Sequence, residues 1–127
     1  MEKNLNAIIS FPYFDGQQIS FLPYPTVNPM TVLAQSHEAY FDLDERVILI
    51  DANKLAASRA RPKGIANANR LMAQAARNLC PRRGPITVRL VGEDQYCIVD
   101  GNSTFLVGLF SGWKDFPCIV ETQNEAK

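Results

Sequence analysis

The sequence predicts an α+β domain, a small mixed β-sheet with helices packed on one side of it. Three observations predict this. Runs rich in β-branched and aromatic residues occupy positions 47–50, 85–90, 95–99 and 116–120. Two apolar helix patterns, at 66–79 and 102–111, fall among those runs without strict strand–helix alternation. A tight Gly92-Glu93-Asp94 connection joins two of the runs as a hairpin. At 127 residues the chain is one domain by length, able to bury a core without metal or disulfides.

Residues 1–45 differ from the rest. Weak alternation at 6–10 and 18–22 suggests two short strands around a Phe14-Asp15-Gly16 turn. Pro23, Pro25 and Pro29 break regular structure, and a short helix is expected at 31–39. The continuous apolar run 47–50 reads as a strand buried on both faces. A polar, basic loop follows over 51–64, with one helical turn near Lys54 and Leu55.

The helix at 66–79 places Leu71, Met72, Ala75, Ala76 and Leu79 on one face, and Pro81 and Gly84 end it. Pro85 opens the next strand, which suits an edge or a first position. Leu106, Leu109, Phe110 and Trp113 form the core stripe of the second helix, and Gly112 stops it. The tail 122–127 is polar.

Composition bounds the function. No window is long and apolar enough for a membrane span, and the run Ala7-Ile8-Ile9 is too short for a signal peptide. A cytoplasmic protein with no membrane partner is expected. Cys80, Cys97 and Cys118 read as reduced, mostly buried thiols. His37 reads as a surface histidine, and no Cys-x-x-Cys or His-x-x-x-His pair suggests a metal site. Asp42, Asp44 and Glu45 read as a solvated acidic turn rather than a magnesium site.

Net charge is zero, but it is sorted along the chain. No Asp or Glu occurs between residues 52 and 92. That stretch holds nine of the thirteen basic residues: Lys54, Arg59, Arg61, Lys63, Arg70, Arg77, Arg82, Arg83 and Arg89. It reads either as a solvated basic face or as an anion site for nucleotide phosphates or a nucleic-acid backbone.

The strongest local candidate is Asp100-Gly101-Asn102-Ser103-Thr104. A strand turning sharply into a helix leaves backbone N–H groups without intrahelical partners, and these favour an anion. Gly101 permits the bend. Asn102, Ser103 and Thr104 offer one cap and further groups for a phosphate. The same residues also make an ordinary turn and cap. Asp51 and Asp100 each follow an apolar strand, where either could assist a metal or act as a base.

The run Tyr96-Cys97-Ile98-Val99-Asp100-Gly101-Asn102, the helix with Gly112 after it and the closing Phe116-Pro117-Cys118-Ile119-Val120 resemble the ParB N-terminal and sulfiredoxin-like superfamily. Upstream, Val47-Ile48-Leu49-Ile50-Asp51, Ser58-Arg59-Ala60-Arg61-Pro62 and Gly84-Pro85-Ile86-Thr87-Val88 are similar to that family's opening strand, basic segment and Pro-Ile strand. The resemblance covers 46–121 and leaves 1–45 as a family-atypical extension. It implies a nucleotide-binding fold that holds phosphates at the turn before the second helix, with ATP or CTP and Mg2+ as candidate ligands.

The family's turn commonly ends in arginine, where this chain has Ser103 and Thr104. Asn102 stands where sulfiredoxins need cysteine, so sulfiredoxin activity is not expected. Arg59, Arg61 or Lys63 would then supply the missing charge. Three functions follow as expectations. The first is a nucleotide- or phosphate-binding domain with phosphotransfer, NTPase activity or binding alone. The second is a DNA-associated ParB-like nuclease or regulator. The third is a catalytically degenerate interaction module, with residues 1–45 meeting a protein partner or a second copy.

Overall fold

A computed structural model describes residues 7–26 and 37–121, with side chains described from residue 10 to 24 within the first segment. Strands β1 (Ala7–Phe14) and β2 (Ile19–Thr26) form an antiparallel hairpin. Then come β3 (Ile48–Asp51), β4 (Leu55–Ala56), α1 (Pro62–Ala76), β5 (Ile86–Gly92), β6 (Gln95–Asp100), α2 (Asn102–Phe110) and β7 (Asp115–Val120). Strands β3 to β7 form one mixed sheet in the order β3-β7-β5-β6-β4. The protein is therefore α+β, with a five-stranded mixed sheet, a two-stranded sheet and two helices.

Alternation along the strands makes one face of the sheet the core. Ile50 pairs with Phe116, Cys118 with Ile86, and Val88 with Ile98, and all six are buried. Helix α2 lies on this face. It is apolar nearly all round, as a helix enclosed on several sides must be, and Thr104 to Gly108 are buried without a break. Phe105 meets Phe116 with ring centroids 5.0 Å apart. Helix α1 packs beside it through Ile65, Ala68, Met72 and Ala75, a spacing of three to four residues that puts them on one face. Leu49 and Arg89 lie on the other, more open face of the sheet.

The hairpin belongs to the same core. Phe11 is buried and meets Phe110 edge-on, and Tyr24 stacks on Phe110 at 5.3 Å. The Ala57 N–H donates to the Pro12 carbonyl and the Phe14 N–H to the Ala57 carbonyl, both at 2.8 Å. Strand β1 thus covers the outer side of the segment that follows β4. Tyr40 and Phe41 are buried against Trp113.

Several expectations need correction. The run 47–50 forms an edge strand, not one buried on both faces: Ile48 is 48% and Leu49 58% exposed. A continuous β-branched run has the same composition in both settings, so the pattern could not separate them. Of the two places that suit Pro85, an edge or the head of a strand, the second applies: β5 is interior to the sheet, and Pro85 stands just before its first paired residue, where it removes no ladder bond. The first helix starts at Pro62, where the absent N–H would have had no partner anyway. It ends at Ala76. Asn78 adopts φ +61°, and the Leu79 N–H returns to the Gln74 carbonyl, which throws Leu79 out to 62% exposure. Residues 31–36 of the expected short helix lie outside the described residues, and 37–39 are one 3-10 turn. The tail 122–127 also lies outside them.

The cysteines are free, with Cys97 and Cys118 buried and Cys80 partly exposed. Burial pushes the Cys118 thiol up to about 12 and also raises Cys97, because a thiolate is poorly solvated there. A thiol reagent at pH 8 should therefore modify Cys80 rapidly in the folded protein and reach the other two only on unfolding. Fast labelling of all three in the native state would contradict this packing.

Candidate functional site

The two helices begin at the same end of the sheet. Strands β4 and β6 are adjacent and parallel, and each leads into a helix, β4 through residues 57–61 into α1 and β6 through Gly101 into α2. Crevices outside the carboxyl ends of such strands are where ligands bind in many α/β sheets. A cleft of about 200 Å³ opens there, lined by Arg59, Arg83 and residues 99–104.

Local backbone geometry shapes this end. Thr87 pairs with Asp100 but Val88 with Ile98, so Val99 is the extra residue of a β-bulge. Two residues on, Gly101 takes φ +105° and is the N-cap of α2. A Cβ there would lie 3.2 Å from Ile86 Cγ1. With a glycine at the cap, no cap side chain satisfies the first N–H groups of α2, and the Phe105 N–H is the first to find the Gly101 carbonyl.

Asn102 is occupied elsewhere. Its Oδ1 accepts from the Ser58 N–H at 2.8 Å, and its Nδ2 donates to Ser58 Oγ at 3.2 Å. Ser58 Oγ in turn donates to the Ile98 carbonyl at 2.6 Å. The Asn102 side chain thus locks the loop that carries Arg59 and leaves its backbone N–H for any ligand. Asn102→Ala should cost about 1–2 kcal/mol, the value of one or two hydrogen bonds at part-buried groups, measurable by urea denaturation. An unchanged midpoint would mean that the lock contributes nothing.

Ser103 and Thr104 also separate in role. Ser103 Oγ sits 2.9 Å from where a Gly64 Cβ would be, so the first turns of α1 and α2 lie close together there. Thr104 is 2% exposed, and its Oγ1 accepts from Arg83 Nε at 2.7 Å. Arg83 is the site residue that sequence reasoning missed. The Arg83 N–H donates to the Tyr40 carbonyl, and its own carbonyl accepts from Asp42 N–H, so segment 40–42 fixes it over the cleft. With Nε committed to Thr104, the terminal guanidinium nitrogens are left for a ligand.

Of the other predicted residues, Arg59 and Asp100 line the cleft and are exposed. Arg61 is the N-cap of α1 and Lys63 lies in its first turn, both exposed and beside the cleft rather than lining it. Asp51 is not brought in. It stands on β3, opposite Asp115, while Asp100 ends β6 three strand positions away, roughly 14 Å at the usual strand spacing. Asp51 and Asp100 therefore cannot act on one atom together. No group of three or more His, Cys, Asp or Glu among the described residues could hold a metal ion.

The electrostatics are one-sided. Neither helix has an acidic residue in its first turn. Arg59, Arg61, Lys63 and Arg83 instead gather where the helix dipoles are positive, an arrangement that opposes the usual preference for carboxylates. Asp100 is the one acid lining the cleft. Elsewhere in the basic stretch Lys54 pairs with Asp94 and Arg89 with Glu121. His37 proves part-buried rather than superficial, bonded through Nε2 to Asp115 Oδ1 at 2.9 Å beside Trp113.

No protein-family model matches the chain, and no curated protein matches it. No helix among the described residues is long and apolar enough to cross a membrane.

Proposed function

We propose that the chain binds the phosphate of a nucleotide in the cleft above Gly101. The observation that carries this is the convergence of two helix starts, both without acidic residues, on Arg59 and Arg83. An anion relieves the repulsion among those cations and meets the unpaired N–H groups at once. Phosphate fits better than carboxylate, because its three oxygens can meet both the N–H groups of residues 102–104 and a guanidinium fork. The resemblance of 46–121 to the ParB N-terminal and sulfiredoxin-like superfamily is part of the same proposal and selects ATP or CTP. Asp100 at the rim would hold the accompanying Mg2+, which needs only one or two carboxylates when phosphates complete its shell.

Titration calorimetry with ATP, CTP and GTP, with and without magnesium, tests the reading. Saturable binding of at least one nucleotide is expected, weakened by Arg59→Ala. Absence of binding to every nucleotide would reject it.

A further inference from the structure

The cleft is too small for a whole nucleotide. At about 200 Å³ it falls below the roughly 300 Å³ at which pockets begin to enclose a small ligand. A phosphate enters, and whatever carries that phosphate lies outside. The surface outside is charged in a pattern. Along α1 and its C-cap, Lys63, Arg70 and Arg77 follow one another at seven-residue intervals, so they form a single stripe of about 10 Å steps. All three are exposed, no carboxylate among the described residues pairs with them, and α1 contains no acid. Arg70 is steadied by a hydrogen bond to Asn67. The stripe starts at the end of α1 that touches Ser103 and runs away from the cleft.

We infer that the cleft and the α1 stripe form one track for a nucleic-acid strand, with the terminal phosphate of the strand in the cleft and the following phosphodiesters along Lys63, Arg70 and Arg77. This rests on the phosphate reading of the cleft. Each step of the stripe spans about three stacked nucleotides at 3.4 Å per phosphate. No aromatic residue occurs in α1, so bases have no platform on which to stack, and recognition by the stripe is indifferent to base sequence.

The test uses the full chain and single-stranded oligonucleotides of two to twelve nucleotides, with terminal phosphate or terminal hydroxyl, titrated across salt concentrations by fluorescence anisotropy. Affinity should rise with length to about eight nucleotides and then level off. Removing the terminal phosphate should weaken binding about tenfold, one charge-assisted contact, and Arg59→Ala should abolish that preference. The double variant R70A/R77A, both exposed and remote from the cleft, should keep the terminal preference and lower the salt slope by about 1.4, at roughly 0.7 per phosphate contact.

If mononucleotides bind but oligonucleotides bind no tighter, or if the double variant R70A/R77A leaves the slope unchanged, the track is overturned while the phosphate cleft stands. If oligonucleotides bind along the stripe with no preference for a terminal phosphate, and mononucleotides do not bind, both readings fail.

Discussion

Arg83→Ala should weaken nucleotide binding by about ten- to a hundredfold, the value of a charge-assisted hydrogen bond lost from a preorganised site. It should also destabilise the fold by about 1–3 kcal/mol, because the buried Thr104 hydroxyl loses the Nε donor 2.7 Å away. The two effects can be separated. Arg83→Lys keeps the charge but not the fork that grips Thr104 and the ligand together, so it should restore little affinity. Thr104→Val removes the buried hydroxyl with its partner still present and should shift stability more than affinity. Calorimetry for binding and urea denaturation for stability give the two readouts. Wild-type affinity in Arg83→Ala would show that the guanidinium only braces α2.

Gly108→Ala should cost about 2–3 kcal/mol, lowering the melting temperature by roughly 10 °C. Alanine ordinarily strengthens a helix interior. Here its Cβ would stand 2.4 Å from Phe116 Cε2 and 2.8 Å from Trp113 Cε3. Both rings are buried and packed on each other, with centroids 5.4 Å apart, so neither can yield without disturbing the contact between α2 and β7. Trp113 fluorescence should shift with the loss of stability. Gly112→Ala makes an informative comparison: it is strained at φ +92° but meets nothing within 4 Å, and should cost only about 1 kcal/mol. A Gly108→Ala protein as stable as wild type would mean that the α2–β7 seam is looser than described.

How much of this was legible in the sequence depends on the range of the contacts. Helix α2 was legible because Gly101 and Gly112 bracket an apolar run, and both take positive φ. The β5–β6 hairpin was legible from its turn, where Asp94 takes φ +61°. The start of α1 was misplaced by four residues although its signal, a proline at the first helical position, was present. The polar Ser58-Arg59-Ala60-Arg61 run hid it by reading as loop.

The site divides along the same line. The Gly101 bend is local and could be read off the chain. The commitment of Asn102 to Ser58, 44 residues away, could not. Nor could the placement of Arg83, which depends on backbone bonds to Tyr40 and Asp42 in a segment that residue patterns alone set apart from the core. The His37–Asp115 pair, 78 residues apart, is the extreme case. Local chemistry marked where the chain bends, but only the packing of distant segments shows which side chains are left to meet a ligand.

The most direct test is a titration of the labelled protein with inorganic phosphate and then ATP at constant ionic strength, followed by amide NMR. Saturable shifts should appear first at the N–H groups of Asn102, Ser103 and Thr104 and at Lys63 and Gly64 in the first turn of α1. They should disappear in Arg59→Ala combined with Arg83→Ala, while the remaining spectrum stays folded. Shifts spread evenly over the basic surface, or none at these five amides, would contradict a phosphate site built from the two helix starts.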